Sequence, residues 1–197
     1  MTSTPFTIRP ATSERFDDVA TILGPRNPDS SVCWCLTYRL PSKENRALDA
    51  RQRARTAREL CARPIPPGVL AYDDAGTVVG WCGVAPRAEL HAFTHGRTIP
   101  HVDDLPVWSV WCFRVRGGHR GRGVAQALLE GAVEHARGHG APAIEGYPVD
   151  NEGRKVDTTM AYVGTRAMFD RAGFSWAADT TSRLNGFPRV LMRLPLR

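Results

Sequence analysis

Residues 114–129 read RVRGGHRGRGVAQALL: four glycines, three arginines and a histidine lie between Arg116 and Gly123, and an apolar helical pattern follows at once. These residue types at a helix start suit the holding of a phosphate. The first turn of a helix leaves backbone N–H groups without intrahelical partners, and its dipole favours an anion by about 0.3–1 kcal/mol. Glycines let the main chain approach a phosphate closely. Arg120 and Arg122 add charge-assisted hydrogen bonds. A Walker A loop would end in Lys-Ser or Lys-Thr, and this segment has no lysine. A dinucleotide G-x-G-x-x-G fingerprint finds two glycines in Gly121 and Gly123, but Gln126 stands at the third place. Glu145 lies about where a ribose-binding acid would, yet the loop before Gly121 is long and only one clear βαβ unit is legible. Cys33 and Cys35 in SVCWCLTYR (31–39) suggest half of a zinc site. No other two cysteines are closely spaced, so no metal is expected.

The elements that must position these residues are read from periodicity. FTIRPAT (6–12) alternates as a first strand, and Ser13 is placed to cap a short helix over 13–23. Residues 24–30 are rich in turn formers, and 41–63 read as one long charged helix. Two strands joined by a turn at DDAGT occupy 68–86. Residues 87–106 have no clean period and form a long connection. VWSVWCFRV (107–115), β-branched and aromatic, reads as a buried central strand. A helix over about 121–138 follows, with apolar positions 125, 128, 129, 132, 133 and 136 on one face. The next strand spans 142–150, a short helix over 165–174 ends at Gly173, and PRVLMRLPL closes the chain as a final strand. Nothing suggests a linker or repeat, and 1–197 read as a single domain.

Composition narrows the function classes. The formal charge is +6, carried by arginine far more than lysine, since only Lys43 and Lys155 are lysines. With abundant Ala and Gly, that skew resembles the codon bias of a GC-rich genome, so no nucleic-acid partner is expected; a small polyanionic ligand suits the charge. No stretch approaches ~18 apolar residues, so no membrane span is expected. The first twenty residues lack a charged-then-apolar signal pattern, and a cytoplasmic protein with five free cysteines is expected.

RGRGVA (120–125) matches the Q/R-x-x-G-x-G/A signature of the GNAT superfamily of acetyltransferases, with Arg120 opening it and Gly121, Arg122, Gly123, Val124 and Ala125 completing it. FRVRGGHRGRGVAQALLEGAVEHA resembles that family's central strand, pyrophosphate loop and helix. MFDRAGF (168–174) resembles its closing LYEKLGF element, and VVGWCGVAP the strand before the central one. The resemblance covers roughly 68–176. It implies an α/β fold with a mixed, mostly antiparallel central sheet flanked by helices and with splayed central strands. It implies acetyl-CoA as co-substrate, its pyrophosphate surrounded by the backbone amides of residues 121–125 and its pantetheine arm paired with Phe113, Arg114 and Val115. The implied reaction is acetyl transfer to a primary amine. The long 87–106 connection and the aromatic CWCLTY stretch favour a small-molecule acceptor, in a monomer or homodimer. A protein lysine or N-terminus is one alternative, and a non-catalytic acyl-CoA-binding regulatory module is the other.

The chain departs from the family pattern. Phe169 stands where LYEKLGF carries a tyrosine, the central strand has no acidic residue, and the connection before FDRAGF is longer than usual and contains Tyr162. Catalytic roles must therefore be argued afresh. Glu145 and Tyr147 alternate with Ile144 and share a strand face. If that face opens on the cleft, Glu145 is the base and Tyr147 the acid. Asp150 is a further base candidate, and Ser109 and Cys112 could orient the thioester. Trp34 and Tyr38 are expected to wall the acceptor pocket. His101, Asp103 and Asp104, in the connection entering the central strand, could close over it.

Overall fold

The computed structural model describes residues 6–27, 30–157 and 161–196. One sheet runs in the order β1-β2-β3-β4-β5-β7-β6. Its strands are β1 (Thr7–Pro10), β2 (Gly68–Tyr72), β3 (Val78–Pro86), β4 (Trp108–Val115), β5 (Ala143–Gly146), β6 (Ser175–Leu184) and β7 (Phe187–Pro195). Neighbours are antiparallel except β4 and β5, which are parallel. The flanking helices are α1 (Phe16–Leu23), α2 (Ser42–Ala47), α3 (Ala50–Cys61), α4 (His91–Thr94), α5 (Val124–Gly138) and α6 (Arg166–Arg171). This is the mixed, mostly antiparallel sheet with flanking helices expected from the sequence.

The apolar stripe of α5 explains one layer. Val124, Leu128, Leu129, Ala132, Val133 and Ala136 bury against Val69, Val79, Val110 and Ile144, with Met168 and Phe169 of α6 in the same cluster. On the opposite face, Phe16 and Val19 of α1 and Leu60 of α3 cover Leu70 and Trp81. Farther along that face, Leu90, Phe93 and Ile99 cover Trp111, Tyr147 and Leu191. The 87–106 connection is thus a packed cover that includes a 3-10 turn (Arg87–Glu89) and α4.

The central strands splay. β4 and β5 pair only at Trp108–Ile144, Ser109–Glu145 and Val110–Gly146. Beyond Gly146 the chain leaves β4 and takes other partners: Val149 donates its N–H to the Gly164 carbonyl and accepts from Arg166. The β3–β4 register shifts at Gly83/Val84, opposite Trp111, which places a bulge in the central strand at the apex of the splay. Packing here leaves no spare volume. A Cβ added to Gly146 would lie 2.0 Å from Cε1 of Phe169, which is wholly buried and edge-on to Phe174 at 4.9 Å. Gly146→Ala should therefore destabilise the fold by about 1–3 kcal/mol through overpacking, read as a lower urea midpoint with an unchanged slope.

Three expectations are corrected. Two closing strands are present rather than one. β6 is an edge strand that is largely polar and half-exposed, so its alternation is weak; it joins β7 through Asn185 (φ 50°) and Gly186 (φ 80°), a two-residue hairpin turn with both residues left-handed. The expected helix over 41–63 breaks in two. Leu48 is extended and Asp49 opens α3 with a capping box, accepting from the Gln52 N–H (2.8 Å) while the Gln52 side chain accepts from the Asp49 N–H (2.9 Å). Ser13 caps no helix: it begins a 3-10 turn, Ser13–Arg15, and α1 starts at Phe16 without a side-chain cap. Among the described residues no helix is long and apolar enough to cross a membrane.

Candidate active site

Two features meet at the wide end of the splay. The first is the start of α5. Gly121 and Gly123 have φ of +75° and +85°, a left-handed backbone that favours glycine. Gly123 precedes the helix, and no side chain caps it. The first helical bond at this end runs from the Ala127 N–H to the Gly123 carbonyl, so the amides before it face outward. A Cβ on Gly121 or Gly123 would meet nothing within 4 Å. The chain therefore leaves space over these amides that a ligand can enter. Arg120 and Arg122 are exposed beside it, and His119 ties the loop to Asp73 at 3.7 Å. The second feature is the β4 edge from Cys112 to Val115, which pairs with β3 on one side and, past Val110, no longer with β5 on the other. Phe113 turns its ring into the α5–α6 core, and Arg114 is exposed.

The residues expected to do acid–base work are placed elsewhere. Glu145 and Tyr147 do share a sheet face, but that face is closed, at 0% and 1% exposure. Glu145 lies at the paired end of the strands, opposite Ser109. Its Oε2 accepts from Arg87 (2.7 Å), and its Oε1 accepts from Arg193 through Nε (2.9 Å) and Nη2 (2.6 Å). With both oxygens held by guanidiniums and no route to the cleft, Glu145 is a structural anion, and the expected base role does not fit. The Tyr147 hydroxyl lies 2.8 Å from Ser109 Oγ and donates to Glu145 (3.2 Å). Burial first, and then the Glu145 charge, push its phenol well above the ordinary range. It is a sealed core phenol, which does not fit the acid role either. The same geometry commits Ser109 to the core.

The loop candidates also separate. Asp103 grips Arg193, whose hydrogen bonds hold its carboxyl below the usual range. His101 hydrogen-bonds the Phe93 carbonyl (3.2 Å), and Asp104 is exposed. His101 thus ties the 87–106 connection back on itself at Phe93, and Asp103 ties it to Arg193. Asp150 is paired with Arg166 (2.7 Å). Trp34 belongs to the core, stacked on Phe16 at 5.9 Å. It and Cys35 are left-handed (φ 50° and 57°) in a tight turn closed by the Leu36 N–H to the Cys33 carbonyl (3.0 Å). Such strain costs of order 1–3 kcal/mol per residue, and the burial of both side chains offsets it. That turn sets the Cys35 thiol against Cys112, and this hydrogen bond together with burial pushes Cys35 well above the usual thiol range. Cys33 points out, 2.9 Å from Thr37 Oγ1. Among the described residues no group of three or more His, Cys, Asp or Glu could hold a metal.

Tyr38, the other expected wall residue, is half-buried. It packs on Phe93 (5.1 Å), and its hydroxyl lies 3.2 Å from that of Tyr162. Tyr162 belongs to a 3-10 turn, Ala161–Val163, packed against β4.

The profile of the Acetyltransferase (GNAT) family matches residues 34–174. The chain belongs to the GNAT acetyltransferase family. Solved structures agree at the level of fold. An N-acetyltransferase from Staphylococcus aureus Mu50 superimposes with a TM-score of 0.54 at 14% identity, covering 98% of this chain and 99% of that one. For yncA from Salmonella typhimurium, solved with its cofactor acetyl-CoA, the values are 0.54, 16%, 98% and 94%. A chain of the NatC complex bound to Gag peptide and CoA gives 0.52, 16%, 98% and 99%. Among curated proteins no sequence matches the chain.

GNAT proteins use acetyl-CoA, and the residues here fit it. The left-handed backbone at Gly121 and Gly123 has open space over it, and the β4 edge stands open beside it. This GNAT protein also closes the family's tyrosine position. Phe169 is wholly buried, 6.3 Å from Phe113 and against Gly146 and Gly164, so neither a hydroxyl nor solvent is available there.

Proposed function

We propose that this GNAT protein is an acetyl-CoA-dependent N-acetyltransferase whose acceptor is the primary amine of a small molecule. In this reading the main chain at Phe113, Arg114 and Val115 pairs with the pantetheine arm as an added strand would. The backbone amides of Gly121, Arg122, Gly123, Val124 and Ala125, with the Arg120 side chain, hold the pyrophosphate. Acetyl-CoA supplies an acetyl thioester. The chain orients it, and a β4 N–H stabilises the carbonyl oxygen as charge develops. An alkyl amine of pKa ~10.4 must reach the site neutral or lose a proton there.

The small-molecule choice rests on the cover over the acceptor face. Phe93 of α4 packs on both Tyr38 (5.1 Å) and Tyr147 (4.4 Å). Segments 31–40 and 91–101 thereby roof the sheet beside the cleft, where a peptide acceptor would need a groove. A second reading, a non-catalytic acyl-CoA-binding module, draws support from the hydroxyl missing at Phe169 and the sealed Tyr147. Both are tested by incubating the protein with acetyl-CoA and a panel of small amines and peptides, following free thiol and product mass. Thiol release with small amines is expected. Release with peptides alone would make it a protein acetyltransferase. Calorimetric binding of acetyl-CoA with no release from any acceptor would favour the binding module.

A further inference from the structure

The chain has four tyrosines, and the structure separates them. Tyr72 is held by Asp18 (2.6 Å) on β2, away from the central strands. Tyr147 is sealed between Ser109 and Glu145. Phe169 offers no hydroxyl. Tyr38 and Tyr162 are left, and they form a pair at the unpaired stretch of β4. Tyr162 comes from the long connection between β5 and α6, on a turn packed against β4, and is half-buried rather than sealed. Its surroundings include the Cys112 thiol of β4 and the Arg189 guanidinium of β7. Burial and then Tyr38 push its phenol well above the ordinary range, so it carries its proton throughout the neutral range. The connection that departs most from the family's usual length thus returns a phenol to the cleft.

We propose that Tyr162 is the proton donor to the departing thiolate of coenzyme A and that Tyr38 positions its hydroxyl, an inference that rests on the acetyl-transfer reading above. The step balances. The amine nitrogen's lone pair forms the C–N bond while the carbonyl π pair moves to oxygen. Collapse of that oxygen breaks the C–S bond, and the electron pair leaves on sulfur. The Tyr162 hydroxyl gives sulfur its proton. The new amide nitrogen releases one proton to water, and the Tyr162 phenolate regains one from solvent through the Tyr38 hydroxyl, 3.2 Å away.

Tyr162→Phe keeps the ring and removes only the donor. The decisive measurement needs no acceptor: the thiolate absorbance of bound coenzyme A is followed against pH, with desulfo-coenzyme A as blank. A phenol touching the sulfur stabilises the thiolate, so the bound thiol should ionise about one pH unit lower in the wild type than in Tyr162→Phe. With an amine that the wild type accepts, kcat should fall at least ~10-fold, while KM for the amine and calorimetric affinity for acetyl-CoA stay unchanged. A merely structural role would move affinity or melting temperature and not the thiol titration. Coincident titrations, or a variant with full kcat, overturn the proposal. If the thiol titration shifts but the wild type acetylates no amine, the Tyr162–sulfur contact stands and the acetyl-transfer reading falls.

Discussion

Gly123→Val is expected to weaken acetyl-CoA binding at least ~100-fold, or about 2.7 kcal/mol. Gly123 has φ +85° and immediately precedes α5. A β-branched residue resists that conformation, so the backbone must either bear the strain or rotate the amides at the helix start away from their common direction. On the native backbone a Cβ at this position meets nothing of the chain within 4 Å. The fold therefore gains no clash, and the loss falls on whatever approaches from outside. Calorimetry on variant with native circular dichroism checks this. Gly118→Val separates strain from site: Gly118 is also left-handed (φ +84°) and open but lies outside the 120–125 cradle, so it should retain most of the affinity. Unchanged affinity in Gly123→Val would remove the cradle from the reading.

The cradle was legible because its chemistry is local. Glycines, arginines and an apolar helical stripe within sixteen residues announce a glycine turn and the helix that follows it, and the structure has both. The central strand was legible from its aromatic and β-branched run, and the strand face shared by Glu145 and Tyr147 from simple alternation. What alternation cannot say is what covers that face. Glu145 is closed off by Arg87 and Arg193, 58 and 48 residues away in sequence, and the aperiodic 87–106 segment gives no sign that it packs down as a roof. The hairpin and the helix break were a different kind of miss. The Asn185-Gly186 pair and the Asp49-x-x-Gln52 box are short-range signals, overshadowed by a polar edge strand and a continuous run of helix-forming residues. Tyr162 could be named from the sequence, but its place beside β4 could be seen only in three dimensions. The sequence shows a connection of unusual length, and only the fold shows that its end returns a phenol to β4.

Glu145→Gln is where the covered face makes its largest demand. The substitution leaves Arg87, nearly fully buried, and Arg193, mostly buried, facing an amide that can accept at one oxygen only. Removing one partner of a buried ion pair typically costs about 3–5 kcal/mol, because the remaining charge has lost its water and gained nothing. A loss of that size should appear in urea denaturation as a lower midpoint. Were Glu145 the base, the variant would instead keep its stability, lose activity at neutral pH and regain it at alkaline pH, where neutral amine is abundant without help. The buried network predicts no such alkaline rescue. A compensating pair sharpens the distinction. Arg87→Met with Glu145→Leu removes both members, while Arg193 keeps Asp103 as its partner. Replacing a buried ion pair by apolar groups of similar size is often nearly neutral, so the double variant should recover much of what Glu145→Gln loses. Its acetyl-CoA affinity should match the wild type, since neither residue lies at the open edge of β4. A stable Glu145→Gln with alkaline rescue would return Glu145 to the reaction.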